Sequence, residues 1–350
     1  MRNSSNPRLN PLYALALMRR QQGVAVLTVL LVVAMGAALA YALANQQIMV
    51  IAQSRQVLVG DALRDMLLGG EVLARQMLRE DYIEDQEDTP LVDTLNEPWA
   101  QAVPPFEVPG GFIEIQAKDL HSCFNLNSVP TVVAQGTTNP GARKLLRDLF
   151  EDIELGRDFA DRWIDWIDEG EDVNDFGAED NEYLSQEVGY RTPNTLASHL
   201  SEVRLLDEIE HEQWQALNKI ACINRWPTKM NVHTITPDII SFLSREDWRD
   251  AEDDEISEAG SFPEYTGVDD FMLANTSLDS NMDPTLFTLT SDYFEISIRA
   301  ELDGEKAAMV STLYRDPNDG KITVLGRDFS RRFISRFEDP EQDTEEDSGF

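Results

Sequence analysis

The stretch Arg19–Glu80, RRQQGVAVLTVLLVVAMGAALAYALANQQIMVIAQSRQVLVGDALRDMLLGGEVLARQMLRE, decides the fold. Within it, Val24–Ala44 is uncharged and apolar over 21 residues, enough for a helix to cross roughly 30 Å of hydrocarbon. The helical signal does not stop there. Apolar residues recur at helical spacing at Ile48, Ile51, Val57, Leu58, Ala62, Met66, Val72 and Met77. The spacing predicts one helix from Val24 to about Leu78, roughly 80 Å long at about 1.5 Å per residue. Gly60, Gly69 and Gly70 are expected points of bending or interruption. The first half of such a helix suits lipid, and the second half suits a globular head.

Residues upstream set the direction of the anchor. Met1–Gly23 contains Arg2, Arg8, Arg19 and Arg20 and no acid. Basic flanks stay on the cytoplasmic side, so the bulk of the chain is expected outside. Three readings compete: a secretory signal cut near Ala40–Ala44, an uncleaved signal anchor, and a short leader cut on the cytoplasmic side between Gly23 and Val24. Two features favour the last. A glycine directly precedes the apolar run, and the run flows into a long amphipathic helix, which a discarded signal has no need of.

The rest of the chain carries a large negative charge. Its 29 basic and 64 acidic residues give −35 over 350 residues. Such a field repels phosphate backbones and disfavours nucleic acid as a partner. There are two cysteines, Cys123 and Cys222. They lack the spacing of a zinc site. Outside the cytoplasm they would close one long loop, worth ~4 kcal/mol in the chain-entropy picture; inside, they would be separate buried thiols.

Beyond the helix, 80–105 reads as an acidic loop and Gly111–Gln116 as a strand. Pro130–Pro140 reads as a linker. A helical block follows, with apolar faces in ARKLLRDLFEDIEL (Ala142–Leu155) and RDFADRWIDWIDEG (Arg157–Gly170), and further helices expected at Pro193–Leu200 and Leu206–Leu217. Trp163 and Trp166 are read as core anchors. Thr236 followed by Pro237 predicts a capped helix start. Arg245–Ala274 is acidic and unpatterned. Strands are expected at Tyr293–Leu302, Ala307–Tyr314 and Ile322–Asp328, joined by DGEK and DPNDGK turns. The tail from Glu338 is acidic and reads as disordered.

One loop has metal-site chemistry. Asp165–Asp180, DWIDEGEDVNDFGAED, holds carboxylates dense enough to repel one another without a cation. Calcium takes six to eight oxygens from loops of this kind, although the EF-hand spacing is absent. The competing reading is a solvated acidic turn. No catalytic motif of the GxSxG, HExxH, P-loop or GxGxxG kind is present. His121, His199, His211 and His233 are scattered without ligand spacing. The chain therefore reads as a non-enzyme.

Several stretches together resemble the type II secretion protein K family. These are RRQQGVAVLTVLLVV (Arg19–Val33), CFNLNSV (Cys123–Val129), WIDEGEDVNDFGAEDNEYLS (Trp166–Ser185), SEVRLL (Ser201–Leu206), NVHTITPDII (Asn231–Ile240) and the strands YFEISIRAEL and KAAMVSTLYR. The resemblance implies an α+β, pilin-like fold: a long N-terminal helix and a small antiparallel sheet, with a large all-α domain inserted. It implies a prepilin leader at 1–23, a transmembrane segment at 24–44 and the first part of the head over 45–130. The inserted domain would span 131–230, the return to the head 231–332, and an acidic tail 333–350. A prepilin peptidase would cut after Gly23 and methylate Val24.

The family's role is that of a minor pseudopilin at the tip of a periplasmic pseudopilus. Its partners are the I and J minor pseudopilins, and it is held in the inner membrane with its bulk in the periplasm. The alternative is a minor pilin of a type IV pilus-related system. Calcium is implied in the helical domain. Asp168, Glu179 and Asp180 match the family pattern, with Asp172 and Asp175 as further candidates. Pilins generally carry glutamate at the fifth mature position, whereas K-type members do not; here it is Thr28. The faint likeness of NVHTITPDII to a helix-hairpin-helix lacks the basic surroundings that phosphate binding needs.

Overall fold

A computed structural model describes residues 11–86, 91–101, 104–129, 140–245, 264–279 and 282–335, and for 11–23 the backbone alone. The leader's first ten residues, most of the Pro130–Pro140 linker, much of the Arg245–Ala274 stretch and the tail from Glu338 lie outside the described residues. The chain divides into two units, 1–62 and 63–350.

The described residues of the first unit, from 11 onward, form one helical stretch. Helix α1 covers Pro11–Asp85, so Gly23 and Val24 both lie within it. From Val24 onward the apolar side chains of this unit are exposed, with Val24 61%, Leu31 62% and Ile51 68% accessible. A helix with apolar residues on all sides and nothing packed on them suits lipid. One segment of this chain, beginning at Val24, is long and apolar enough to span a membrane.

The second unit is built on the last part of α1. Leu63, Leu67, Ala74 and Leu78 are buried along one stripe, at the three- and four-residue spacing that puts side chains on one helix face. The helix is unbroken through Gly60, Gly69 and Gly70, so the expected interruption does not occur. Gly70 has a different use. A Cβ there would lie 2.9 Å from Ile298 Cγ2 and 3.3 Å from Ile113 Cγ2; its absence lets the helix approach the sheet.

That sheet has five strands in the order β1-β2-β7-β8-β9. They are β1 (Phe106–Val108), β2 (Gly111–Asp119), β7 (Tyr293–Leu302), β8 (Glu305–Arg315) and β9 (Ile322–Asp328). All pairings are antiparallel, in register at Ile115↔Ile298 and Ile298↔Met309. Phe294, Ile296, Ile298, Met309 and Leu313 are fully buried. A charged clasp joins helix to sheet at Glu71, which receives Arg327 Nε at 2.6 Å and Ser311 Oγ at 2.8 Å. Burial pushes the Glu71 carboxyl up, but these donors and the Arg327 charge outweigh it and hold it below its usual range.

Between β2 and β7 the chain forms the helical block. It contains β3 (Phe124–Asn125), α2 (Pro140–Asp152), α3 (Phe159–Ile167), α4 (Asp180–Tyr183), α5 (His211–Ile220) and β4 (Ala221–Cys222). On the way back to the sheet come β5 (Met230–Asn231), α6 (Pro237–Leu243), α7 (Val268–Ala274) and β6 (Phe287–Thr288). Trp163, Phe150, Leu146, Leu149 and Leu217 have no accessible surface, and the Trp163 indole donates to Leu126 O at 3.2 Å. Asp161 is buried between Arg143 and Arg147, at 2.7 and 2.9 Å. Thr236 caps α6 by accepting from Ile239 N, with Pro237 behind it.

Two further expectations need correction. Pro193–Leu200 is not a helix. The chain stays irregular until a 3₁₀ turn at Leu200–Leu205, because Glu202 takes the amides of Ser198 and His199 and fixes the start there. The unpatterned region before Ala274 contains α7, whose Phe271 is buried.

The two ends of the block meet. Cys123 and Cys222 are disulfide-bonded, with Cα atoms 5.9 Å apart. β3 pairs with β4, Asn125 opposite Cys222. Asn125 Nδ2 donates to Trp226 O at 2.8 Å and its Oδ1 accepts from Asn224 N at 3.1 Å. Asn127 Nδ2 donates to Ala197 O and Asn224 O, both at 2.9 Å. The FNLN asparagines thus tie the block's ascending and descending chains together. The architecture is the expected α+β, pilin-like fold with an inserted helical domain.

Candidate functional site

The acidic loop Asp165–Asp180 is built on the end of α3 and the start of α4. Asp165 is fully buried and accepts from Asn174 N at 3.2 Å and from the Asn174 side-chain amide. Gly177 makes this possible, since a Cβ there would lie 1.7 Å from Asp165 Oδ2. Asp168 accepts from Gly170 N at 3.0 Å, and Asn194 Nδ2 donates to Gly170 O at 2.8 Å. Asp180 accepts from Thr192 N at 3.0 Å and pairs with Arg191 at 2.8 Å.

Glu179 is the telling residue. It is 7% accessible and accepts from Thr192 Oγ1 at 3.0 Å through Oε2, while its buried Oε1 has no partner among the described residues. Burial raises the carboxyls of Asp165, Asp168 and Glu179; the charges of Asp165, Asp168 and Asp180 raise Glu179 further. A partnerless buried acceptor in a carboxylate already raised by three neighbouring charges is what a hard cation corrects.

Of the expected ligands, Asp168 and Asp180 act on Glu179 through their charges. Asp172 and Asp175 are exposed, and Asp172 contributes only its charge at Asp168. Asp165 went unrecognised in the sequence because it sits between Trp163 and Trp166 in the apolar pattern of α3.

A second acid cluster also escaped the sequence reading. Asp81, Asp85, Asp93 and Glu97 bring ligand-capable oxygens within 4.8 Å of one another, closer than the loop carboxylates come. Two lie in the last turn of α1, where the helix dipole disfavours negative charge, and two in the segment after it. Arg315 from β8 is the counter-ion, pairing with Asp81 at 3.1 Å and with Asp93. Burial and the Asp81 charge push Glu97 up to about 9, and burial with Asp93 and Asp85 pushes Asp81 to about 7. The i,i+4 spacing of both pairs was a visible signal; the arginine, more than 200 residues away, was not.

The sign of the resulting pH dependence is fixed. Both groups bind protons more tightly folded than unfolded, so the stabilisation is fully present below their ordinary carboxylate range. It is lost as pH rises through about 7 and then about 9. Urea unfolding is expected to show lower stability at pH 9 than at pH 6, and Glu97→Gln to flatten that slope. An equal slope in the variant would assign the dependence to other groups.

In the membrane segment, Thr28 Oγ1 donates to Ala25 O at 2.8 Å, so the hydroxyl is satisfied within its own helix. A threonine there needs no partner from another chain, whereas a carboxylate in lipid does.

Comparison with known proteins agrees with this construction. The family model described as type II secretion system protein K matches residues 122–225, the helical block between its clasped ends. The chain is 32% identical over 321 residues to the type II secretion system protein K of Pseudomonas aeruginosa, covering 89% of this chain and 94% of that one. It is 30% identical over 234 residues to the protein of the same description from Klebsiella pneumoniae, covering 64% and 70%. Its fold resembles a chain in the crystal structure of the GspK–GspI–GspJ complex from enterotoxigenic Escherichia coli, with a TM-score of 0.64 at 21% identity over 80% of this chain and 100% of that chain. A relative 32% identical over 89% of this chain and 94% of its own length makes this chain a member of the type II secretion system protein K family.

Proposed function

We propose that the protein is the minor pseudopilin at the tip of a type II secretion pseudopilus, assembling there with I- and J-type minor pseudopilins to initiate and cap the filament. The observation that carries this reading is the pairing of a lipid-suited helix with a pilin-like head that bears a bulky block. The chain that this fold resembles was solved in a complex of GspK, GspI and GspJ. The block blocks addition of a further subunit above it, and Thr28 suits a position with no neighbour above to neutralise a carboxylate. Processing after Gly23 by a prepilin peptidase, and insertion in the inner membrane with a periplasmic head, belong to the same reading.

Co-purification of the full chain with its I and J partners in detergent tests it. A stable ternary complex is expected; no association would move the reading toward a type IV pilus-related system. Thr28→Glu is expected to reduce incorporation at the tip and secretion at least several-fold, read by immunoblot of exported protein. Unchanged secretion would remove the argument from Thr28.

Within this reading, calcium binds the acidic loop through Asp165, Asp168, Glu179 and Asp180, neutralising carboxylates that otherwise repel and holding the loop on the block. Titration calorimetry is expected to show calcium binding with a rise in melting temperature, both lost in Glu179→Gln. No heat and no thermal shift would leave a solvated turn.

A further inference from the structure

A groove of about 670 Å³ lies where the helical block meets the outer face of the sheet. Its floor is a single row of directly paired residues across four strands, Lys118↔Glu295↔Thr312↔Gly326. The small residues at Thr312 and Gly326 make it deep at the β9 end, and Gly326 has open space where a Cβ would be. One wall is the chain just beyond the disulfide, ending in Trp226, whose ring stacks on Tyr293 at 5.3 Å and 9°. The opposite wall is Arg331, which reaches Glu295 at 2.5 Å.

The charge of this groove departs from that of the chain. Elsewhere many basic side chains are held by acids, among them Arg143, Arg147, Arg157, Arg245, Arg299 and Arg315. In the groove, Glu295 is neutralised by Arg331 and Asp328 is occupied by Ser330 N at 2.8 Å. Lys118 and Arg225 are exposed and have no carboxylate partner among the described residues; Arg225 lies only over the Trp226 ring, at 5.5 Å. A protein of net charge −35 thus presents two free cations, one on the floor and one on the wall of one groove.

We propose that this groove receives an acidic segment of a partner subunit, with carboxylates on Lys118 and Arg225 and its chain across the Thr312–Gly326 floor. Two separated cations fix the register of the incoming segment, and such complementarity acts on specificity and association rate. This rests on the assembly reading above and names the surface through which part of that assembly is made.

The test uses zero-length carbodiimide coupling of the full chain in complex with its I and J partners. The chain has six lysines, Lys118, Lys144, Lys219, Lys229, Lys306 and Lys321, so the coupled amine is identified unambiguously by mass spectrometry. Coupling of Lys118 to a carboxylate of a partner peptide is expected, with the other lysines reacting several-fold less. The Lys118→Glu/Arg225→Glu pair, which alters only exposed side chains, is expected to weaken assembly at least tenfold with unchanged melting temperature. Assembly unaffected by the double substitution, or Lys118 coupled only to carboxylates of its own chain, would overturn the proposal. If the wild-type chain forms no complex at all, the assembly reading fails first, a result distinct from either of these.

Discussion

Replacing Cys123 and Cys222 together with serine is expected to lower the stability of the head by about 4 kcal/mol. The bond closes a segment with a sequence separation of 99, so its removal frees a long loop in the unfolded chain. The folded neck is otherwise well held. Asn125, Asn127 and Asn224 keep their hydrogen bonds, and β3 still pairs with β4. The loss is therefore expected to appear as a shift of midpoint, with the spectroscopic signature of the native state retained. In a domain of this size the melting temperature should fall by roughly 8–16 °C, and urea unfolding of the oxidised protein against the double variant reads the difference directly. A loss below about 1 kcal/mol would mean that the asparagine stitches already restrict the unfolded chain.

Arg315→Met is expected to cost about 3–5 kcal/mol at pH 8, the loss that follows when one partner of a buried ion pair is removed. Arg315 is 2% accessible. It pairs with Asp81 and Asp93, donates to Ser291 O at 2.9 Å and lies 5.0 Å from the Phe294 ring centroid. Methionine fills much of the stem's volume, so the loss reports the charge. Asp81, Asp85, Asp93 and Glu97 would then face one another without a cation. Lowering the pH neutralises them, so the gap between variant and wild type should narrow markedly at pH 5. Urea midpoints at the two pH values measure this, and a gap independent of pH would show that packing dominates.

These two sites differ in how far they could be read from the sequence. Helix α1 and strands β7 to β9 were legible because their signals are local: apolar spacing of 3.6 or 2, and turn residues at DGEK and DPNDGK. Trp163 was legible as core for the same reason. The 3₁₀ turn at Leu200–Leu205 was not, because Glu202 outcompetes the weak helical pattern before it. The loop's acids were visible as composition, yet Asp165, the most buried of them, was hidden within the apolar face of α3. The Asp81–Arg315 cluster combines residues from two ends of the chain, and only packing brings them together. Long-range polar pairs carry no periodicity, so a single sequence holds no record of them.

The neck has a mechanical consequence. Because Cys123 and Cys222 are covalently joined, tension entering the head along β2 can leave along the descending chain without passing through the helices between them. A pull on the sheet would pass through this bond, while the clasped block stays off the load path. It can therefore keep an acidic loop of mutually repelling carboxylates outside the path of any pull on the sheet.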